Sequence, residues 1–162
     1  YLQNVIFTSD PKVLYAWVDV GGLYRSDDGG QRWQMLHGAL PASGGSSQVK
    51  SVSVDPRDPQ KILVAVGSHW EGKRDGLYQS DDGGRSYTLR LEALFAGNGE
   101  NRWTGDSLAR HPERPDRVFA ASLGDGVFVS DDSGATWRNL GLAGHQFTDI
   151  DIDRTDPDRL WL

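Results

Sequence analysis

The chain has 162 residues, of which 25% are charged, 37% hydrophobic and 10% aromatic, the make-up of one folded domain with its own core and not of a disordered segment. Lys and Arg number 17 against 23 Asp and Glu, a net charge of −6, so the phosphate attraction behind general nucleic-acid binding is missing. No apolar stretch approaches the roughly 20 residues of a membrane span, and the absence of cysteine removes disulfides, thiolate zinc sites and cysteine nucleophiles together. The 20 glycines, well above the usual share of about 7%, call for many tight turns and few long helices. With no initiator methionine at Tyr1 and an expected strand running up to Leu162, the sequence reads as an excerpt of a longer chain.

In chain order, the first unit spans about residues 5–37 and carries a Gly22-Leu23-Tyr24 strand into the hairpin Ser26-Asp27-Asp28-Gly29-Gly30-Gln31-Arg32-Trp33. The second, about 48–91, begins with the alternating run Val52-Ser53-Val54-Asp55-Pro56, continues through the apolar run Ile62 to Val66, and enters Ser80-Asp81-Asp82-Gly83-Gly84-Arg85-Ser86-Tyr87. The third, about 105–140, repeats this order: Leu108-Ala109-Arg110-His111-Pro112, then Val118 to Ala121, then Ser130-Asp131-Asp132-Ser133-Gly134-Ala135-Thr136-Trp137. A half unit, about 147–162, holds Ile150-Asp151-Ile152-Asp153-Arg154 and the run Leu160 to Leu162. The three Ser-Asp hairpins align without gaps at spacings of 54 and 50 residues. Four short strands per unit at a period near 50 predict an all-β fold: a β-propeller of four-stranded antiparallel meanders, with about three and a half blades of a seven-bladed ring in this chain.

In the Ser-Asp hairpins the short acceptor side chains can bond free backbone N–H groups, and glycine accepts the positive φ a tight loop needs. A calcium reading fails because no bidentate Glu follows at the twelfth position, so the hairpins imply no metal. Asp55-Pro56, His111-Pro112 and Asp153 read as turn formers, which leaves His111 structural. Alternation of connections in a meander places the Asp-Pro turns and the Ser-Asp hairpins on one side of the blades, and the loops after the second strands, with the inter-blade links, on the other. The repeats diverge on that second side. Gly67 to Asp75 contains His69 and Trp70, and Gly97 to Asp106 contains Asn98, Arg102 and Trp103, residues that blade geometry does not demand. Aromatic platforms with polar neighbours suit a sugar ring, although Trp70 and Trp103 serve equally as loop anchors; Trp17, in an alternating strand, reads as core. Asp19 before Gly21-Gly22 reads by itself as a turn residue.

The hairpins resemble the Asp-box, or BNR, repeats of sialidases, sortilin-type receptors, photosystem assembly factors and xyloglucan hydrolases. A closer resemblance, over nearly the whole chain, is to glycoside hydrolase family 74, the xyloglucan-active endo-β-1,4-glucanases. The segment Leu14-Tyr15-Ala16-Trp17-Val18-Asp19-Val20-Gly21-Gly22-Leu23-Tyr24-Arg25 is similar to that family's Leu-Tyr-Ala-Arg-Thr-Asp-Val-Gly-Gly-x-Tyr-Arg, with Trp17-Val18 in place of Arg-Thr. Gly97-Asn98, Arg102 and Gly105-Asp106-x-Leu108-Ala109-x-His111-Pro112 follow the order of its Gly-Asn-x-x-x-Arg-x-x-Gly-Glu-Arg-Leu-Ala-x-Asp-Pro segment. Val64 to Trp70 falls where the family has a loop with Tyr-Thr-Asn before a tryptophan. The resemblance implies Asp19 as the general base of an inverting hydrolase, with Gly21, Gly22, His69, Trp70, Asn98, Arg102 and Trp103 against a polysaccharide. It also implies a general acid on a second propeller of the same longer chain, an extracellular or periplasmic location, and no cofactor. A non-catalytic Asp-box propeller that binds protein as a scaffold or receptor module is the alternative. No Rossmann or P-loop glycine pattern occurs.

Overall fold

A computed structural model describes residues 2–18, 22–36, 40, 47–68, 76–96 and 105–162. Among them there is no helix, and the strands form three four-stranded antiparallel sheets and one two-stranded sheet, each in sequence order. The first blade contains β1 (Leu2–Phe7), β2 (Leu14–Val18), β3 (Gly22–Ser26) and β4 (Gln34–Met35). The second contains β5 (Ser47–Asp55), β6 (Asp58–Ser68), β7 (Gly76–Ser80) and β8 (Thr88–Leu91). The third contains β9 (Leu108–Arg110), β10 (Val118–Ala121), β11 (Val127–Ser130) and β12 (Arg138–Gly141), and the half blade β13 (Asp151–Ile152) and β14 (Leu160–Trp161). These are propeller blades, as the repeat predicts.

Blades stack because the middle strands are apolar on both faces, and a side-chain period of two sends alternate residues to opposite neighbours. Tyr15, Trp17 and Leu23 of the first blade pack against Val52, Ile62, Val64, Val66 and Tyr78 of the second. The intervening Leu63, Ala65 and Leu77 turn the other way and meet Leu108, Val118, Ala120 and Phe128 of the third. Phe119, Ala121, Val127 and Val129 in turn cover Ile150 and Ile152 of the half blade. Trp17 is 2% exposed, core as its strand pattern predicts.

The turn after each first strand and the hairpin after each third strand lie side by side. Gly29 N–H donates to Lys12 O at 2.9 Å, Gly83 N–H to Gln60 O at 2.9 Å and Ser133 N–H to Asp116 O at 2.8 Å, one bond per blade. We call this the hairpin rim and the opposite side the loop rim. Inside each hairpin the serine hydroxyl donates to the carboxylate two residues on and accepts two backbone N–H groups. In the third, Ser130 Oγ donates to Asp132 Oδ1 at 2.8 Å and accepts Gly134 N–H at 2.7 Å and Asp132 N–H at 3.3 Å. Asp132 then accepts Thr136 N–H at 2.8 Å and its hydroxyl at 2.6 Å, and Trp137 Nε1 donates to Gly134 O at 3.0 Å, pinning the loop from beneath. Ser133 adopts φ 61° where Gly29 and Gly83 adopt 74°; its hydroxyl reaches Asp116 Oδ1 at 2.6 Å, a bond that offsets the cost of a left-handed non-glycine. His111 does the work of Asp55 and Asp153 at its turn: Nδ1 accepts the N–H groups of Glu113 and Arg114, each at 3.1 Å.

Polar bridges stitch the blades together along the hairpin rim. Arg25 lies over the Tyr15 ring, and its Nη1 donates to Tyr15 Oη and to Gln60 Oε1, each at 2.9 Å, while Tyr15 Oη donates to Pro59 O at 2.8 Å. Between the second and third blades, Arg57 Nη2 spans Asp55 Oδ2 at 2.8 Å and Asp116 Oδ1 at 2.5 Å. Arg114 pairs with Asp158 between the third blade and the half blade.

Replacing the buried hydroxyl in Ser130→Ala strands the Gly134 N–H, so a loss of about 1–3 kcal/mol is expected in urea denaturation. Tyr87 is the opposite case. Its Oη is buried without a hydrogen-bond partner where the other hairpins carry an indole, so Tyr87→Phe should hold or raise stability in the same assay. Equal losses in the two variants would contradict this account of the hairpin.

Candidate functional site

The residues implicated by sequence belong to segments that leave and rejoin the blades at the loop rim. β2 ends at Val18 and β3 opens at Gly22, paired across from it, with Gly22 at φ 89°, a conformation that costs glycine nothing and strains other residues. Asp19 and Gly21 lie between them, outside the described residues. His69 and Trp70 fall between β6 and β7, and Asn98, Arg102 and Trp103 between Ala96 and Gly105; these too lie outside the described residues. The places where these segments leave and rejoin the blades are described. Val66 pairs with Gly76 and Leu77 with Leu91, which puts the ends of β6 and β8 and the start of β7 on one rim.

The bases of the two long loops touch. A Cβ on Gly67 would stand 2.4 Å from Phe95 O and 2.5 Å from Ala96 C, so only glycine lets β6 run this close to the 93–96 backbone. Phe95 and Ala96 are buried. On its other side this stretch meets the turn after β10: Leu94 N–H donates to Asp125 Oδ2 at 2.8 Å, Ser122 Oγ donates to Leu94 O at 2.8 Å, and Leu123 N–H reaches the same oxygen at 2.9 Å.

A second group of charges lies where the first strands of successive blades come together. Gly105, Asp106, Asp149 and Asp151 line a cleft of about 410 Å³ with Leu108, Ala109, Arg110 and Ile152. Ser51 Oγ donates to Asp106 Oδ1 at 3.2 Å, and Gly105 is held against the Asp149 carboxylate, whose carbon would be 2.1 Å from an added Cβ. Burial pushes the Asp106 carboxyl up, with the Asp149 and Asp151 carboxylates adding to it against the pull of Ser51 and Lys50. Lys50, 5% exposed, is pushed down by burial, with Asp106 and Asp149 opposing. Both members of this buried pair shift toward their neutral forms, so desolvation outweighs their attraction. Sequence reasoning quoted Asp106 only within the family-like segment and passed over Lys50 and Asp149; the available signal was a lysine inside the otherwise Val- and Ser-rich run 47–54, at the point where the β5 register slips between Val49 and Ser51.

Elsewhere, His111 is 2% exposed in its turn on the hairpin rim, and His145, in the link between the third blade and the half blade, stacks on Phe147 with ring centroids 6.2 Å apart. His37 lies outside the described residues.

No family model matches the chain. A xyloglucanase from Hypocrea jecorina is 31% identical over 150 residues, covering 86% of this chain and 18% of that enzyme. Its relatives are xyloglucanases. An oligoxyloglucan-reducing end-specific xyloglucanase from Emericella nidulans is 28% identical over 145 residues, with the same two coverages. The crystal structure of the GH74 xyloglucanase from Xanthomonas campestris superposes with a TM-score of 0.74 at 29% identity, over 86% of this chain and 20% of that one. The chain therefore spans about a fifth of the length of the curated relatives it matches. The similarity to these xyloglucanases is in line with the family resemblance of the sequence.

Carbon-13 NMR of the carboxyl groups reads the buried pair directly. Asp106 is expected to titrate above the ordinary carboxylate value of about 3.9. Lys50→Met should move its midpoint higher still, because the ammonium is one of the groups that favour the ionised form. A midpoint that falls in Lys50→Met would remove Lys50 from the pair.

Proposed function

We propose that these residues form part of an N-terminal propeller of a secreted glycoside hydrolase that acts on xyloglucan or a related β-1,4-glucan, and that the Ser-Asp hairpins are its Asp-box repeats. The observation that carries the reading is the alignment with xyloglucanases along 86% of the chain, at 31% identity to one of them and with the fold matched to another. In this reading the units are blades at about 5–37, 48–91, 105–140 and 147–162, and the rest of a seven-bladed ring and a second propeller belong to the same longer polypeptide.

The chemistry follows from the requirements of inversion. Water attacks the anomeric carbon on the face opposite the leaving oxygen, one carboxylate takes a proton from that water, and a second carboxylic acid gives one to the leaving oxygen, the pair standing roughly 6.5–9.5 Å apart. Asp19 is the base. Val18 and Gly22, which flank it in sequence, pair at the loop rim, and Gly21 and Gly22, having no side chains, would leave room for a polysaccharide chain to approach the backbone. Trp70 and Trp103 supply faces for sugar rings, and His69, Asn98 and Arg102 supply hydrogen bonds to hydroxyls. The acid lies outside residues 1–162, since the resemblance matches no second catalytic carboxylate here.

The isolated chain is expected to quench its tryptophan fluorescence on titration with xyloglucan oligosaccharides while releasing no reducing ends from them. Hydrolysis by the isolated chain that disappears in Asp19→Ala would put the acid within these residues. Failure of every xyloglucan oligosaccharide to bind would overturn the polysaccharide reading.

A further inference from the structure

We infer that the open face of the first blade seats a further blade of the same longer polypeptide, and that this blade brings a carboxylate to Lys12, the reverse of the charge order at the other seams. The inference rests on the ring proposed above and is independent of the sugar chemistry. Leu14, Ile62 and Val118 hold the same place in their blades, each paired with the serine of its hairpin. From that register Ile62, Val64 and Tyr78 face the preceding blade, and so do Val118, Ala120 and Phe128. Leu14, Ala16 and Tyr24 are their counterparts, and among the described residues no blade stands before them. Ala16 and Tyr24 instead border an apolar groove of about 370 Å³ together with Leu2, Val5, Val18 and Trp33.

The hairpins of the later blades are sockets for the blade before them. A Cβ on Gly84 would stand 2.6 Å from Leu36 Cδ1, and one on Gly134 would stand 2.5 Å from Leu63 Cδ2. Gly30, at the same hairpin position, meets only Leu14 and Trp33 of its own blade, no nearer than 3.4 Å. Tyr87 and Trp137 likewise pack into the seam with the preceding blade, whereas Trp33 is 40% exposed. The charges follow a matching order. The residue whose carbonyl receives the hairpin N–H is Lys12, Gln60 or Asp116, two positions before the second strand of its blade. Gln60 receives Arg25 of the first blade at 2.9 Å, and Asp116 receives Arg57 of the second at 2.5 Å. Asp158, two positions before β14, receives Arg114 of the third. At three seams, then, an arginine reaches forward to an acceptor. Lys12 is exposed, makes no ion pair among the described residues, and would meet an arginine as a like charge. The group that suits it is a carboxylate on the blade in front.

The test is zero-length carbodiimide coupling of the polypeptide made from the full reading frame, at high and low protein concentration, followed by peptide mass spectrometry. Lys12 should be joined to an aspartate or glutamate outside residues 1–162, in a yield that dilution leaves unchanged. Lys12→Glu should lower the melting temperature by about 1–2 °C, and lysine in place of the coupled carboxylate should restore it in the same polypeptide. Lys12→Arg keeps the charge and should melt with the parent; melting with Lys12→Glu instead would overturn the charge pairing. A coupled partner within residues 1–162 overturns the inference, and a yield that falls on dilution would identify that occupant as a second copy. Lys12 left uncoupled in a polypeptide that carries further blades also overturns it, with the ring left standing. A reading frame without further blades removes the ring and this inference together.

Discussion

Everything in this fold depends on a strand presenting apolar groups to both of its neighbours at once. In β6, Ile62, Val64 and Val66 face the first blade while Leu63 and Ala65 face the third, and the same parity governs β2 and β10. A slip of one residue would exchange the two sets and ruin both packings, so register is fixed more tightly here than in a sheet with one wet side. The large residues of one face meet smaller ones on the next, as Tyr15 and Trp17 meet Val64 and Val66. Burying a side chain of this size contributes about 1.5–3 kcal/mol, which makes these seams the main stabilising element.

With the blades held this way, the two rims do different work. The hairpin rim is self-contained: every hairpin satisfies its own backbone through a serine and an aspartate, and arginines join it to the next blade. The loop rim carries the segments in which the units differ most in sequence. It is steadied from outside the loops, by the close approach at Gly67 and by the turn that carries Ser122 and Asp125. The described part of the loop rim is thus built on contacts between blades.

The fold was legible because its signals are local and repeated. Serine, aspartate and glycine at fixed spacing announced each hairpin, and the runs Ile62 to Val66 and Val118 to Ala121 announced strands buried on both faces. His111 was readable as a turn former because it stands where Asp55 and Asp153 stand. Lys50, Asp106 and Asp149 were not readable, since they come from three successive units and meet only once the blades are stacked. Asp125 was hidden for a different reason. An aspartate between glycines is an ordinary turn residue, and its bond to Leu94 links positions 31 residues apart that no periodicity relates. The residues of the two long loops stood out through divergence from the repeat, which marks where the chain departs from structural duty and says nothing of geometry, whereas Asp19 read by itself as a turn residue and stood out only through the family resemblance.

The arginine bridges of the hairpin rim make ionic strength a structural variable. Arg57 and Asp116 bridge two blades with both side chains about half exposed, at 52% and 55%, so added electrolyte screens them. Concentrated salt should therefore slacken the joints between blades along this edge while the apolar seams beneath, which added electrolyte does not screen, keep the blades together.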